Sequence, residues 1–181
     1  MSKIILYIAS SLDGYIARKD GSVDWLDSLE NPENSDFGYG EFIANIDIQI
    51  MGRKTYEVVM GFDVPWPYNN IKTYVATQNR DLTINSPDTH LLHDIDKKSI
   101  EEICGESTRK VWLVGGGSLV NTFLNYHAVD EIILSQIPTI LGEGIRLFPG
   151  KSIEVPFQLT KHEVFPNGLV QLHYLQRPIA I

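Results

Sequence analysis

Val111-Trp112-Leu113-Val114-Gly115-Gly116-Gly117-Ser118-Leu119-Val120-Asn121-Thr122-Phe123-Leu124 is the stretch on which the fold turns. Its opening is the β-branched and aromatic run of a buried strand, and from Ser118 onward the residues read as a helix. Only glycines separate the two. A strand that hands directly to a helix belongs to an α/β sheet with crossover connections. Glycine at such a junction lets a ligand approach the backbone closely, and the free N–H groups of the new helix favour a phosphate. The run is not GxGxxG, and no acidic residue follows roughly twenty positions later in a matching context, so a Rossmann site is a poor reading. From these residues alone, a plain tight turn and a pyrophosphate site both stay open.

Outward from this stretch the same alternation recurs. Lys3–Ala9 predicts a nearly continuous apolar, hence central, strand. Ser35–Asn45 predicts a helix with Ser35 as its cap and Phe37, Phe42, Ile43 and Ile46 inward. Then come a short strand at Ile48–Met51, a helix at Lys54–Met60, a strand at Thr73–Thr77 and a weaker one near His90–Leu92. A helix continuing from Ser99–Cys104, a strand at Lys110–Val114, a helix at Ser118–Tyr126 and a long strand at Val129–Pro138 complete the body. Phe157–Phe165 and Leu169–Arg177 are extended runs around Pro166-Asn167-Gly168, and Asn-Gly there signals a hairpin. Counted outward from that turn, His162 faces His173, a pairing read as cross-strand packing rather than metal binding. The expectation is one α/β domain over residues 1–181, closed by an antiparallel hairpin.

Composition narrows the function. With 181 residues, 43% of them hydrophobic, a fibre or disordered tail is excluded. The net charge is −8, and the surplus is local: eight acids and no Lys or Arg lie between Asp20 and Gly52, while the remainder holds fifteen acids and fifteen bases. Without a basic block, a nucleic-acid surface has little to be built from. Cys104 stands alone, so neither an intrachain disulfide nor a cysteine-rich zinc site can form. The five histidines lack ligand spacing, and no metal is expected. The first apolar run is too short for a signal peptide or membrane span, which makes a cytoplasmic protein with no membrane partner the expectation. No Gly-x-Ser-x-Gly elbow is present.

Two further loops follow strands. In Met51-Gly52-Arg53-Lys54-Thr55-Tyr56-Glu57, two cations occupy the first helical turn, where the dipole disfavours them unless an anion binds. Thr77-Gln78-Asn79-Arg80 closes the next strand with more donors, and in open α/β sheets such strand ends line one crevice. Ser10-Ser11-Leu12-Asp13-Gly14-Tyr15-Ile16 is a polar loop after the central strand, a place where substrate and cofactor would meet.

Together, the ASSLDGYIA, MGRKTYE, YVATQN, VWLVGGGSLVNTFL and VDEIILSQIPTILGEGIRLFPG segments and the terminal hairpin resemble the RibD C-terminal family within the dihydrofolate-reductase-like superfamily. The resemblance spans nearly the whole chain. It implies a three-layer α/β/α fold with a mixed sheet, and an NADPH-dependent reductase similar to 5-amino-6-(5-phosphoribosylamino)uracil reductase. By it, Gly52, Arg53, Lys54 and Thr55 with Thr77 and Gln78 would surround the adenosine 2′-phosphate. Gly115, Gly116, Gly117, Ser118 and Leu119 would hold the pyrophosphate across a cis Gly115–Gly116 peptide, and Ala9, Gly14 and Ile16 would border the nicotinamide. Asp36 falls at the pocket carboxylate of dihydrofolate reductases; as a partly buried acid it would have a raised pKa and relay a proton. Asp13 is the other catalytic candidate, and Ser11, Asp13 and Asp36 form the expected substrate contacts. A homodimer is implied, with the Val129–Pro138 strand and its neighbours as its seam. The stretch Trp66–Lys72 lacks the arginine that holds the folate tail in dihydrofolate reductases, and Gly115 stands where riboflavin-pathway reductases usually have glutamate. A dihydrofolate-reducing enzyme and a non-catalytic NADP-binding module are the alternatives.

Overall fold

The computed structural model describes residues 1–150 and 152–178. Ten strands and four α-helices follow one another: β1 (Ile4–Ser11), β2 (Tyr15–Ala17), α1 (Tyr39–Ala44), β3 (Ile46–Gly52), α2 (Arg53–Met60), β4 (Lys72–Ala76), β5 (Thr89–Leu92), α3 (Lys97–Glu106), β6 (Lys110–Gly115), α4 (Gly117–Asn125), β7 (Glu131–Ile137), β8 (Ile145–Arg146), β9 (Phe157–Val164) and β10 (Val170–Gln176). Eight strands form one sheet in the order β5-β4-β3-β6-β1-β7-β10-β9. From β5 to β7 the neighbours run parallel, and β10 is antiparallel to both β7 and β9. β2 and β8 pair separately as a small antiparallel ribbon.

Alternation along the central strands builds both cores. Ile4 and Leu6 of β1, with Ile50, Leu113 and Phe123, pack under α3 and α4. Ile5 and Trp112 face the other way, onto Phe42 of α1, and on that side Met51 and Val75 meet Tyr56 of α2. Two helices on each face of a mixed sheet give the expected three layers.

Several expectations change. The helix expected over Ser35–Asn45 begins only at Tyr39, because Phe37 and Gly38 take left-handed backbone angles (φ 53° and 80°) that a right-handed helix cannot contain. Ser35 accordingly caps no helix; its hydroxyl accepts the Phe37 N–H (3.1 Å). Phe37 packs edge-on against Phe165 of the hairpin instead (5.0 Å between ring centres). The hairpin register is also one residue off. The Phe165 N–H donates to the Leu169 carbonyl and the Gly168 N–H returns to Phe165 (both 2.9 Å), so the loop holds three residues, with Gly168 left-handed at φ 84°. His162 therefore faces Leu172, and His173 faces Lys161. His173 Nε2 donates to Gln171 Oε1 (3.1 Å). Among the described residues, no group of three or more His, Cys, Asp or Glu side chains could hold a metal. β7 lies between β1 and β10, so it has no free edge for a second copy to pair with. No described helix is long and apolar enough to cross a membrane.

Candidate active site

The carboxyl ends of β1, β3, β4 and β6 lie side by side in the sheet, and a cavity of about 950 Å³ opens over them. Two of these strands pass straight into helices: Gly52 precedes α2 and Gly116 precedes α4, both in extended backbone and neither supplying a side-chain cap. The free N–H groups of both first turns therefore border one opening. The Gly115–Gly116 peptide is cis. At Gly117 a side chain is impossible without moving backbone, since a Cβ there would sit 2.2 Å from the Arg146 carbonyl oxygen. Gly116 is different: its Cβ would meet nothing nearer than Thr55 Oγ1 at 3.8 Å, an ordinary van der Waals contact, and the residue lines the cavity.

Donors gather at one end of the cavity. Arg53 lines it while Nη1 bonds Glu57 Oε1 (2.9 Å), an exposed pair one helical turn apart. Lys54 also lines it and has no ion-pair partner among the described residues. After β4, the Thr77 N–H donates to the Leu92 carbonyl (3.0 Å) and Gln78 Nε2 to the His93 carbonyl (2.7 Å). His93 Nδ1 lies 2.9 Å from the Thr77 carbonyl oxygen, so β5 and the residue after it hold this turn in place. Among the described residues, Arg53 and Lys54 are the only charged ones that line the cavity; no described Asp, Glu or His does.

Of the expected cofactor residues, Ala9, Ile16, Gly52, Arg53, Lys54, Thr55, Thr77, Gln78, Gly116, Gly117, Ser118 and Leu119 line the cavity, whereas Gly14 and Gly115 do not. Ser11, Asp13 and Asp36 are likewise outside its lining. Asp13 Oδ1 accepts the Ser11 hydroxyl (2.6 Å), and its carboxylate also takes the N–H groups of Leu141 (3.1 Å) and Gly142 (2.7 Å). These bonds, the Ser11 hydroxyl foremost, hold its pKa below the ordinary aspartate value. Buried Ser11 additionally accepts the Tyr15 N–H.

Asp36 requires a correction. The reading of a partly buried acid with a raised pKa is reversed: Asp36 is exposed. Its oxygens accept the backbone N–H groups of Gly40 and Gly38 (both 2.9 Å), which lower its pKa.

An aromatic wall was missed. Tyr7, Tyr39, Tyr68 and Trp112 line the cavity on the α1 side. Trp112 meets Tyr39 and Tyr68 edge-to-face (6.2 and 5.6 Å between ring centres), and its Nε1 donates to the Tyr7 carbonyl (3.2 Å). Burial raises the pKa of all three tyrosines, so each stays a protonated hydroxyl through neutral pH. Alternation in β1 and β6 places Tyr7 and Trp112 on one face; Tyr39 opens the short α1 and Tyr68 lies in the turn before β4, where sequence periodicity gives no signal.

Comparison with known proteins agrees with this architecture. The family model of the RibD C-terminal domain matches residues 2–171. The chain belongs to the RibD C-terminal domain family. It is 38% identical over 176 residues to the uncharacterized protein YwjB of Bacillus subtilis, covering 96% of this chain and 98% of that one. A "Putative riboflavin biosynthesis protein" of Shewanella sp. PV-4 superposes with a TM-score of 0.88 at 31% identity, over 97% of this chain and 99% of the other. Two more distant structures share the fold. One is a diaminohydroxyphosphoribosylaminopyrimidine deaminase/5-amino-6-(5-phosphoribosylamino)uracil reductase of Thermotoga maritima (TM-score 0.70, 17% identity, 97% of this chain and 57% of that one). The other is the dihydrofolate reductase of Enterococcus faecalis complexed with NADP(H) (TM-score 0.68, 16% identity, 97% of both chains).

Proposed function

We propose that this member of the RibD C-terminal domain family is a reductase that binds NADPH and delivers hydride to a small pyrimidine- or pterin-type ring. One observation carries the reading: Arg53, Lys54 and Thr55, the Thr77–Asn79 turn and Gly116–Ser118 border the same cavity. The fit is chemical. Lys54 has no described ion-pair partner, Arg53 offers a forked donor, and Gly116 leaves room for a phosphate to approach the α4 N–H groups. A dinucleotide phosphate is thus supplied with both charge and backbone donors. When bound, the nicotinamide supplies the hydride; the protein's part is to hold it against the acceptor and keep competing water away. The cavity continues past the cationic end to the aromatic wall, which gives a second ligand somewhere to sit and favours an enzyme over a bare nucleotide-binding module. Folate is disfavoured, because Trp66–Lys72 contains no arginine for its tail carboxylates and no cation lines that end.

The test is cofactor discrimination. NADPH and NADH affinities are measured by calorimetry for the wild type and for the Arg53→Ala/Lys54→Ala variant. NADPH should bind the wild type about tenfold or more tightly than NADH, and the double variant should erase the preference. A preference that survives the double substitution overturns the assignment of the 2′-phosphate to these residues.

A further inference from the structure

The aromatic half of the cavity selects the second ligand by what it lacks. Tyr7, Tyr39, Tyr68 and Trp112 line it as mutually edge-packed rings, and among the described residues no charged group accompanies them. Both lining cations, Arg53 and Lys54, sit at the start of α2, where the proposed cofactor phosphate takes them up. Gly21, Val23 and Leu26, with Tyr39 of the aromatic wall, also line the cavity. These four lie within the Asp20–Gly52 segment, which contains eight acids and no base. An anion placed here would lose its water without gaining a cation, beside a segment of its own sign.

We propose that the substrate is an uncharged, planar, conjugated heterocycle bearing neither phosphate nor carboxylate, seated against Tyr7, Tyr39, Tyr68 and Trp112. This rests on the reductase reading and narrows it. Flat π-systems gain from edge and face contact with this wall. The Tyr7 hydroxyl donates to the Phe37 carbonyl (3.3 Å) and the Tyr39 and Tyr68 hydroxyls bond one another, which leaves that pair one proton to offer a ring carbonyl or imine atom, at far lower desolvation cost than a buried ion pair. In the reaction, an electrophilic carbon of the ring C=N or C=C–C=O system accepts the hydride and forms the new C–H bond. The π pair moves onto the conjugated nitrogen or oxygen, beside the tyrosine hydroxyls, and that atom takes its proton from water. The substrate is reduced by two electrons and the dihydronicotinamide is oxidised by two.

The experiment uses two pairs in which one member carries an added anionic group: 5-amino-6-(ribosylamino)uracil against its 5′-phosphate, and a dihydropterin against dihydrofolate, whose tail adds an aryl ring and two carboxylates. Loading of the protein with NADP⁺ is measured first by calorimetry, and each ligand is then titrated into the loaded protein. The neutral member of each pair should bind about tenfold or more tightly than its anionic partner. Tyr39→Phe should weaken the neutral ligands several-fold while leaving NADP⁺ affinity unchanged. Equal or tighter binding of the anionic members, or no binding of either neutral one, overturns the substrate class while leaving the cofactor reading intact. Failure of NADP⁺ to load overturns the cofactor reading and is seen separately.

Discussion

Asp36 shows how a carboxylate can sit near a site and still be committed elsewhere. Its two oxygens take the Gly38 and Gly40 N–H groups, fixing the turn from which α1 rises one residue before Tyr39. We therefore assign it a positioning role rather than contact with the reacting atoms. The sign of its pH effect follows from its lowered pKa. The carboxylate favours the folded chain above the ordinary aspartate pKa of about 4, and that contribution vanishes as pH falls through the lower folded value. Asp36→Asn should accordingly lower the melting temperature at pH 7, and the difference should close as pH falls below the lowered folded pKa of Asp36. NADP⁺ affinity should stay unchanged. A weakened NADP⁺ complex, or a melting difference that persists in acid, would contradict a positioning role.

At the scale of elements, the start of α4 separates packing from binding within two adjacent glycines. A methyl at residue 117 meets the Arg146 and Leu147 carbonyl oxygens at 2.2 and 2.9 Å, both of them backbone, whereas a methyl at residue 116 meets only Thr55 Oγ1 and Ile16 Cδ1 near van der Waals distance. Gly117→Ala should thus cost about 2–4 kcal/mol in urea unfolding, in line with forced backbone shifts in packed regions. Gly116→Ala should cost under about 1 kcal/mol yet bind NADP⁺ at least about tenfold more weakly, because its methyl occupies the space the phosphate needs. Similar unfolding losses for both, with equal NADP⁺ affinity, would remove residue 116 from the binding surface. The sequence made this junction legible because three glycines between an apolar strand and a helix admit few structures. It also gave the hairpin, but not its register: Asn-Gly suits a two-residue turn, and the chain instead forms a three-residue loop with Gly168 left-handed. The shortened α1 and the β2–β8 ribbon were hidden for a related reason. Both depend on distant partners, such as Phe165 against Phe37 and Gly144 against the Ala17 carbonyl, which no local pattern records.

Across the whole molecule, global and local charge oppose one another. Of the eight acids between Asp20 and Gly52, only Asp24 has a cationic partner among the described residues, Arg18 at 2.7 Å. The segment repels itself, and the net charge of −8 adds to that repulsion. Most of the described ion pairs are exposed and contribute little on their own, so screening them removes less than screening the repulsion restores. The cavity, meanwhile, meets its ligand through Arg53 and Lys54, and an anion there feels those two cations before it feels the distant surplus. Raising the salt from about 0.05 M to about 0.5 M shortens the Debye length from about 14 Å to about 4 Å and acts on both terms at once. The melting temperature of the free protein at pH 7 should rise, while NADPH affinity falls and the NADPH-to-NADH preference narrows. The opposite pairing, a protein that loses stability with salt while holding its NADPH preference, would mean that neither the acidic segment nor the two cations governs the energetics as placed here. The double variant at Arg53 and Lys54 separates the two terms: its stability should respond to salt as the wild type does, and its cofactor affinity should lose most of its salt dependence.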